Sequence, residues 1–198
     1  MKIEIKEESP ATFKEYAGIP IAFKVDKVFD VKELHNDSCK FLLIERVLPV
    51  PYIKDYDSIS GEHPQQWAKH FDMSNWGIFA AWAEGKRIGG AIVAFDTPEL
   101  DILEERRDLA LLWDIRVAPE ARLHGVGSAL LQTVESRAKA RGCRQLKVET
   151  QNINVTACTF YTQHGFMLTT VNRFAYPDLA DEIQLFWYKE LSYQSSSD

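Results

Sequence analysis

The residues with chemical capacity crowd into one stretch of this chain, residues 109–166. At its centre is a short turn, Arg122-Leu123-His124-Gly125-Val126-Gly127, followed by Ser128. Two glycines one residue apart let a backbone approach a ligand closely. A helix starting there offers N–H groups that lack intrahelical acceptors, at the positive end of the helix dipole. That combination holds an anion, most often a phosphate. Two acids flank the turn in sequence. Asp114 is the one acid in a mostly apolar run, Leu109 to Val117, where a carboxylate needs either a partner or a task. Glu149 lies on a second strand-like run, 145–151, with Val148 and Thr150 directed to the opposite face. Asn154 and Tyr161 follow, in a helical pattern.

Three phosphate-binding designs compete for the turn. A P-loop requires Gly-Lys followed by Ser or Thr, whereas Gly125 is followed by Val126 and the chain has no such tripeptide. A dinucleotide fingerprint requires a third glycine where Leu130 stands, although Glu149 falls about 20 residues further on, where a ribose-binding acid would be. The third design fits better. Arg122-x-x-Gly125-x-Gly127 resembles the acyl-CoA-binding signature of the GCN5-related N-acetyltransferase (GNAT) superfamily. Downstream, Asn154-x-x-Ala157-x-x-Phe160-Tyr161-x-x-x-Gly165-Phe166 resembles that family's second signature, one helix and one strand later. The segment ETQNINVTACTFYTQHGF, the pieces NRFAYPD and EIQLFWYKEL, and PYIKDYD at Pro51–Asp57 are similar to the streptothricin acetyltransferase group within it. The likeness is good over 109–190 and only in outline before that.

The resemblance implies acetyl-CoA as donor and a primary amine as acceptor. The chain is expected to be an N-acetyltransferase using direct transfer in a ternary complex, connected with antibiotic resistance. Ile115, Arg116 and Val117 would line the acyl arm, with the N–H of Val117 facing the thioester carbonyl. Residues 122–128 would hold the pyrophosphate, and Asn154, Ala157 and Tyr161 would contact the cofactor. Tyr161 is the expected proton donor to the departing thiolate. Glu149 is the first candidate for the base and Asp114 the second; Glu149 could instead bind a cationic substrate. Asp55, Asp57, Trp113, Tyr176 and Trp187 could form an acidic, aromatic pocket for a cationic amine, through ion pairing and cation–π contact. Two other readings stay open: an acetyltransferase of protein N-termini or lysines, and a non-catalytic CoA- or dinucleotide-binding module. The family also implies a homodimer.

These residues need elements to position them. Apolar Leu109–Val117 reads as a buried strand. Residues 126–141 read as an amphipathic helix with Val126, Leu130, Val134 and Ala138 on one face and Gly142 after its end. Leu146–Thr150 reads as a strand, and Asn154 as the N-cap of a second helix ending before Gly165. Strands are expected at 166–174 and 182–189, with a loop, YPDLAD, at 176–181. In the first half, strands are expected at 2–6, 21–31, 41–47, 76–83 and 87–95, and a helix from Pro64 to about Phe71. Pro49 and Pro51 are expected to stop the third of these strands, leaving Pro51–Asp57 as a loop. Gly89-Gly90 signals a bulge or a close backbone contact. Residues 34–38 read as a turn, 96–108 as a polar connection and 194–198 as a disordered tail. Antiparallel strands followed by strand–helix–strand imply an α+β fold, a mixed and mainly antiparallel sheet with helices on both faces. The GNAT resemblance adds splayed central strands and one domain spanning 1–198.

Composition sets the outer bounds. Of 198 residues, 45% are hydrophobic and 26% charged, which is ordinary for a globular chain. The net charge of −6 argues against a general nucleic-acid binder. No apolar run reaches the roughly 18 residues that a membrane helix needs. The N-terminus lacks the apolar core of a signal peptide. Cys39, Cys143 and Cys158 have neither zinc nor disulfide spacing, which points to a reducing, cytoplasmic setting and no metal.

Overall fold

A computed structural model describes residues 1–34 and 41–191. The expected turn beyond Leu34, Cys39 and the polar tail lie outside the described residues. In chain order the elements are β1 (Glu4–Glu8), α1 (Phe13–Ala17), β2 (Phe23–Glu33), β3 (Phe41–Lys54), α2 (Pro64–His70), β4 (Gly77–Ala83), β5 (Lys86–Phe95), β6 (Leu109–Val117), α3 (Val126–Ala140), β7 (Gln145–Gln151), α4 (Val155–Gln163), β8 (Met167–Asn172) and β9 (Gln184–Glu190). The expected α+β class holds. Two compact units are present. One contains Met1–Ala22, Asp55–Leu146 and Leu191; the other contains Phe23–Lys54 and Lys147–Glu190.

In the first unit, β1, β4, β5 and β6 lie side by side in that order, each antiparallel to the next. The Gly89-Gly90 pair explains how this sheet is covered. Successive strand residues face opposite sides. A Cβ on Gly89 would lie 3.0 Å from Val126 and 3.1 Å from Leu130, so α3 packs down on that face. A Cβ on Gly90 would lie 2.4 Å from the Tyr16 ring, so α1 packs on the other. Both glycines are therefore close approaches, and a bulge at Ile88 sits next to them, where Ala81 pairs with Gly89 but Trp82 with Arg87. The buried face of α3 is the expected one, Val126, Leu130, Val134 and Ala138, with Leu131 added.

A second bulge shapes β6. Ile92 pairs with Asp114 and Val93 with Leu112, so Trp113 has no partner residue on β5. An extra residue turns two successive side chains toward one layer. Trp113 meets the α2 ring of Trp67 edge-on at 6.0 Å, and Asp114 meets Tyr16 of α1.

The second unit holds the hairpin β2–β3, the strands β7, β9 and β8 in that spatial order, and α4. Here one expectation fails. β3 runs through Pro49 and Pro51 to Lys54, so PYIK is strand, and only Tyr56–Ser58 forms a helical turn. The register shows why the prolines do no harm. Val25 pairs with Tyr52 and Lys27 with Val47, so residues 48–51 have no partners and no ladder N–H is missed. The hairpin is secured at Asn152, just after β7. Phe29 N–H donates to Asn152 O at 2.9 Å, Asn152 Nδ2 donates to Phe29 O at 3.1 Å, and Ile183 N–H donates to Asn152 Oδ1 at 2.7 Å. Val25, Val28 and Ile153 close a small apolar core beneath it. Among the described residues, no helix is long and apolar enough to cross a membrane.

Candidate active site

In the first unit the turn after β6 is shaped as the glycine pattern required. Gly125 sits at φ +84°, in the left-handed region, and provides no capping side chain to α3. A Cβ built on it would meet nothing within 4 Å. Arg122 to Gly125 are exposed and Val126 is buried, so the helix is anchored while its entrance stays open. Leu123 also has positive φ, at 63°. These features fit a phosphate group approaching the first-turn N–H groups of Val126, Gly127 and Ser128. Arg122 donates from Nε to Val117 O at 3.1 Å and from Nη2 to Ala22 O at 3.3 Å. It therefore braces the turn while keeping other N–H donors for an anion. His124 places Nδ1 2.7 Å from Arg122 O.

Asp114 and Arg116 form a buried network that the sequence did not reveal. Arg116, 3% exposed, directs Nε and Nη2 to the two oxygens of Asp114 at 3.0 and 2.8 Å. Its Nη1 and Nη2 donate to Asp57 at 2.9 and 3.2 Å, and Nη1 also donates to Ile19 O at 3.1 Å. The guanidinium lies 5.0 Å from the Tyr16 ring centroid, and Tyr16 Oη donates to Asp114 Oδ1 at 2.5 Å. Burial would lower the Arg116 pKa, but Asp114 outweighs it and the value is raised. Burial, then the Asp114 charge, pushes the Tyr16 phenol well above its usual value. Every N–H of Arg116 is engaged, so its side chain has none left for a cofactor, and only its backbone is available. Asp57 is held by this arginine, and Asp55 accepts from Asp57 N–H at 3.1 Å as the cap of the helical turn. Trp113 packs among Trp67, Phe71 and Trp76. Ile115 and Val117 are half-buried, Val117 opposite Gly89.

The second unit holds the other group. Asn154 caps α4, its Oδ1 accepting from Ala157 N–H at 3.0 Å. Tyr161 lies two turns further on, buried, with ring contacts at 5.3 Å to Phe160 and to Phe166. Glu149 is half-buried on β7 and bonded to two neighbours at one oxygen. Tyr176 Oη donates a short hydrogen bond to its Oε1, and Gln151 Nε2 donates to the same oxygen at 3.2 Å. Gln151 also lies 2.7 Å from Tyr176 Oη. Trp187 is buried, its Nε1 donating to Thr150 Oγ1 at 2.8 Å, so it stands as a core residue. The structure thus brings Asp57 to Asp114 and Arg116, and Tyr176 to Glu149. Tyr16 and Gln151 are the members of these two hydrogen-bonded clusters that sequence reasoning missed. The one available signal for Tyr16 was its i, i+3 spacing from Phe13.

The family model for the acetyltransferase (GNAT) family matches residues 42–166. Streptothricin acetyltransferase A of Bacillus subtilis (strain 168) is 43% identical over 176 residues, covering 80% of this chain and 94% of that protein. Streptothricin acetyltransferase of Escherichia coli is 29% identical over 191 residues, 95% of each. Among solved structures, a nourseothricin acetyltransferase is similar with a TM-score of 0.74 and 23% identity, over 97% of this chain and 100% of that one. A protein from Bacillus anthracis str. Ames, assigned as a streptothricin acetyltransferase and solved with acetyl coenzyme A, gives a TM-score of 0.77 at 23% identity, with coverage of 97% and 100%. The strand–turn–helix of 109–140, the capped helix after Asn154 and these likenesses agree: this chain belongs to the acetyltransferase (GNAT) family and is an N-acetyltransferase.

Proposed function

We propose that the chain transfers an acetyl group from acetyl-CoA to a primary amine of a small cationic acceptor of the streptothricin type, directly, in a ternary complex. The likeness to the Bacillus subtilis enzyme, 43% identical over nearly its whole length, carries this reading. Acetyl-CoA supplies the acetyl group as a thioester. The turn 122–128 would hold its pyrophosphate through backbone N–H groups and Arg122, and the backbone N–H of Val117 would stabilise the thioester carbonyl. Glu149 takes the proton that the acceptor amine loses as its nitrogen bonds to the carbonyl carbon. Tyr161 gives a proton to the sulfur as the C–S bond breaks. Asp114 is a poor candidate for the base, because both its oxygens already serve Arg116.

The test follows thiol release from the purified chain with acetyl-CoA and a panel of streptothricin, simple polyamines and peptides. Streptothricin-type acceptors are expected to give the highest kcat/KM. Peptides outperforming them would move the assignment to protein acetylation, and no release with any amine would overturn acetyl transfer to amines. Tyr161→Phe is expected to lower kcat about tenfold or more, with the KM for acetyl-CoA nearly unchanged.

A further inference from the structure

Glu149 is held by one oxygen. Tyr176 Oη and Gln151 Nε2 both donate to Oε1, and Gln151 also reaches Tyr176, so the three side chains close a triangle. Oε2 accepts no hydrogen bond from any described residue. The torsion that turns a glutamate carboxylate is soft. Two donors fixed on one oxygen remove that freedom. They also make the bonded oxygen the poorer proton acceptor, which leaves Oε2 to take a proton.

The triangle is built into the fold. Gln151 ends β7, two residues after Glu149, so both side chains project from the same face of the strand. Tyr176 comes from the connection between β8 and β9, which is tied at both ends. At its start, Arg173 Nη2 donates to Val31 O at 2.7 Å. At its end, Lys54 bonds the buried Glu182 at 2.5 Å, and Ile183 N–H donates to Asn152 Oδ1 at 2.7 Å. Leu179 N–H donates to Tyr176 O at 3.0 Å between them. The phenol is thus delivered to the carboxylate by an anchored loop.

We propose that Tyr176 and Gln151 are the positioning pair for the base: they hold Oε1 of Glu149 so that Oε2 faces the acceptor amine and receives its proton. Tyr176 then serves the reaction through Glu149, and its role is orientation of the base, not a wall of the acceptor pocket. This rests on the reading of Glu149 as the base, and the experiment separates the two.

Steady-state thiol release is measured with acetyl-CoA and the best amine of the panel for the unaltered chain, Glu149→Gln, Tyr176→Phe, Gln151→Met and the double variant Glu149→Gln/Tyr176→Phe. Glu149→Gln is expected to lower kcat about 100-fold. Tyr176→Phe is expected to lower kcat about tenfold, and Gln151→Met several-fold, each with acceptor KM within about twofold, because orientation is lost and binding is not. In the double variant the tyrosine change is expected to add nothing, since its effect runs through the carboxylate. An unchanged kcat in Glu149→Gln overturns the base reading itself, and the positioning role with it. With Glu149→Gln impaired, the positioning role alone falls in either of two cases: Tyr176→Phe raises acceptor KM while keeping kcat, or its loss is fully additive with that of Glu149→Gln. Should Tyr176→Phe fail to fold, Gln151→Met reads the same kcat–KM split.

Discussion

Asp114 and Glu149 are both acids on strands, and their surroundings separate them. Asp114 is 8% exposed and gives both oxygens to Arg116, one of them also accepting from Tyr16. Glu149 is half-buried and tied at one oxygen only. A buried ion pair that loses one partner leaves an uncompensated charge. Asp114→Asn is therefore expected to cost about 3 kcal/mol of stability, a fall in Tm of roughly 6–12 °C for a chain this size. At a temperature where it stays folded, kcat should remain within about threefold. A variant that keeps its Tm but loses turnover would return the base to Asp114. The sequence marked Asp114 as needing a partner or a task. It could not choose between them, because Tyr16 lies 98 residues away in sequence and Asp57 comes from another segment again.

At the scale of elements, local rules carried far where one segment decides its own conformation. β6, the start of α3, β7 and the Asn154 cap lie where hydrophobic periodicity, paired glycines and a capping asparagine put them. The rules failed where a neighbour decides. Prolines in β3 looked like a stop, yet the bulge opposite Asp26 leaves residues 48–51 without ladder partners. α1 escaped notice because its five residues are too few to show a period, and its buried face is just Phe13 and Tyr16. The contact of α1 with β5 gives an element-scale prediction. The space above Gly90 is filled by the Tyr16 ring, so Gly90→Ala must push that ring aside and strain its bond to Asp114. Overpacking of this kind costs about 1–3 kcal/mol, and the loosened network should bring the total to the upper end. Chemical denaturation should show a lower midpoint with an unchanged m-value. An unaltered midpoint would mean that α1 does not need its close seat on the sheet.

At the scale of the molecule, each unit buries a proton-bearing group whose ionisation folding resists. Burial, with the Asp114 charge, raises the Tyr16 phenol, and burial pushes the Cys158 thiol up to about 12. In both cases the folded value lies above the unfolded one, so the unfolded chain releases its proton first as pH rises. The associated stability is complete below about pH 9 and is lost as pH climbs toward 12. Urea midpoints are expected to fall progressively over that range. Cys158→Ala should flatten the slope from its lower end, and Tyr16→Phe the part above about pH 10. A slope unchanged in both variants would assign it to other groups. The sequence by itself determined the family resemblance, the α+β class, the helix that starts at the paired glycines and the asparagine that caps the next one. Those features follow from residue type and spacing within single segments. Tertiary structure alone decided which acid is sequestered, that Trp187 belongs to the core, and that Tyr176 and Gln151 grip the candidate base. Each of these depends on side chains distant in sequence meeting at hydrogen-bonding distance, and periodicity along one segment holds no record of such meetings.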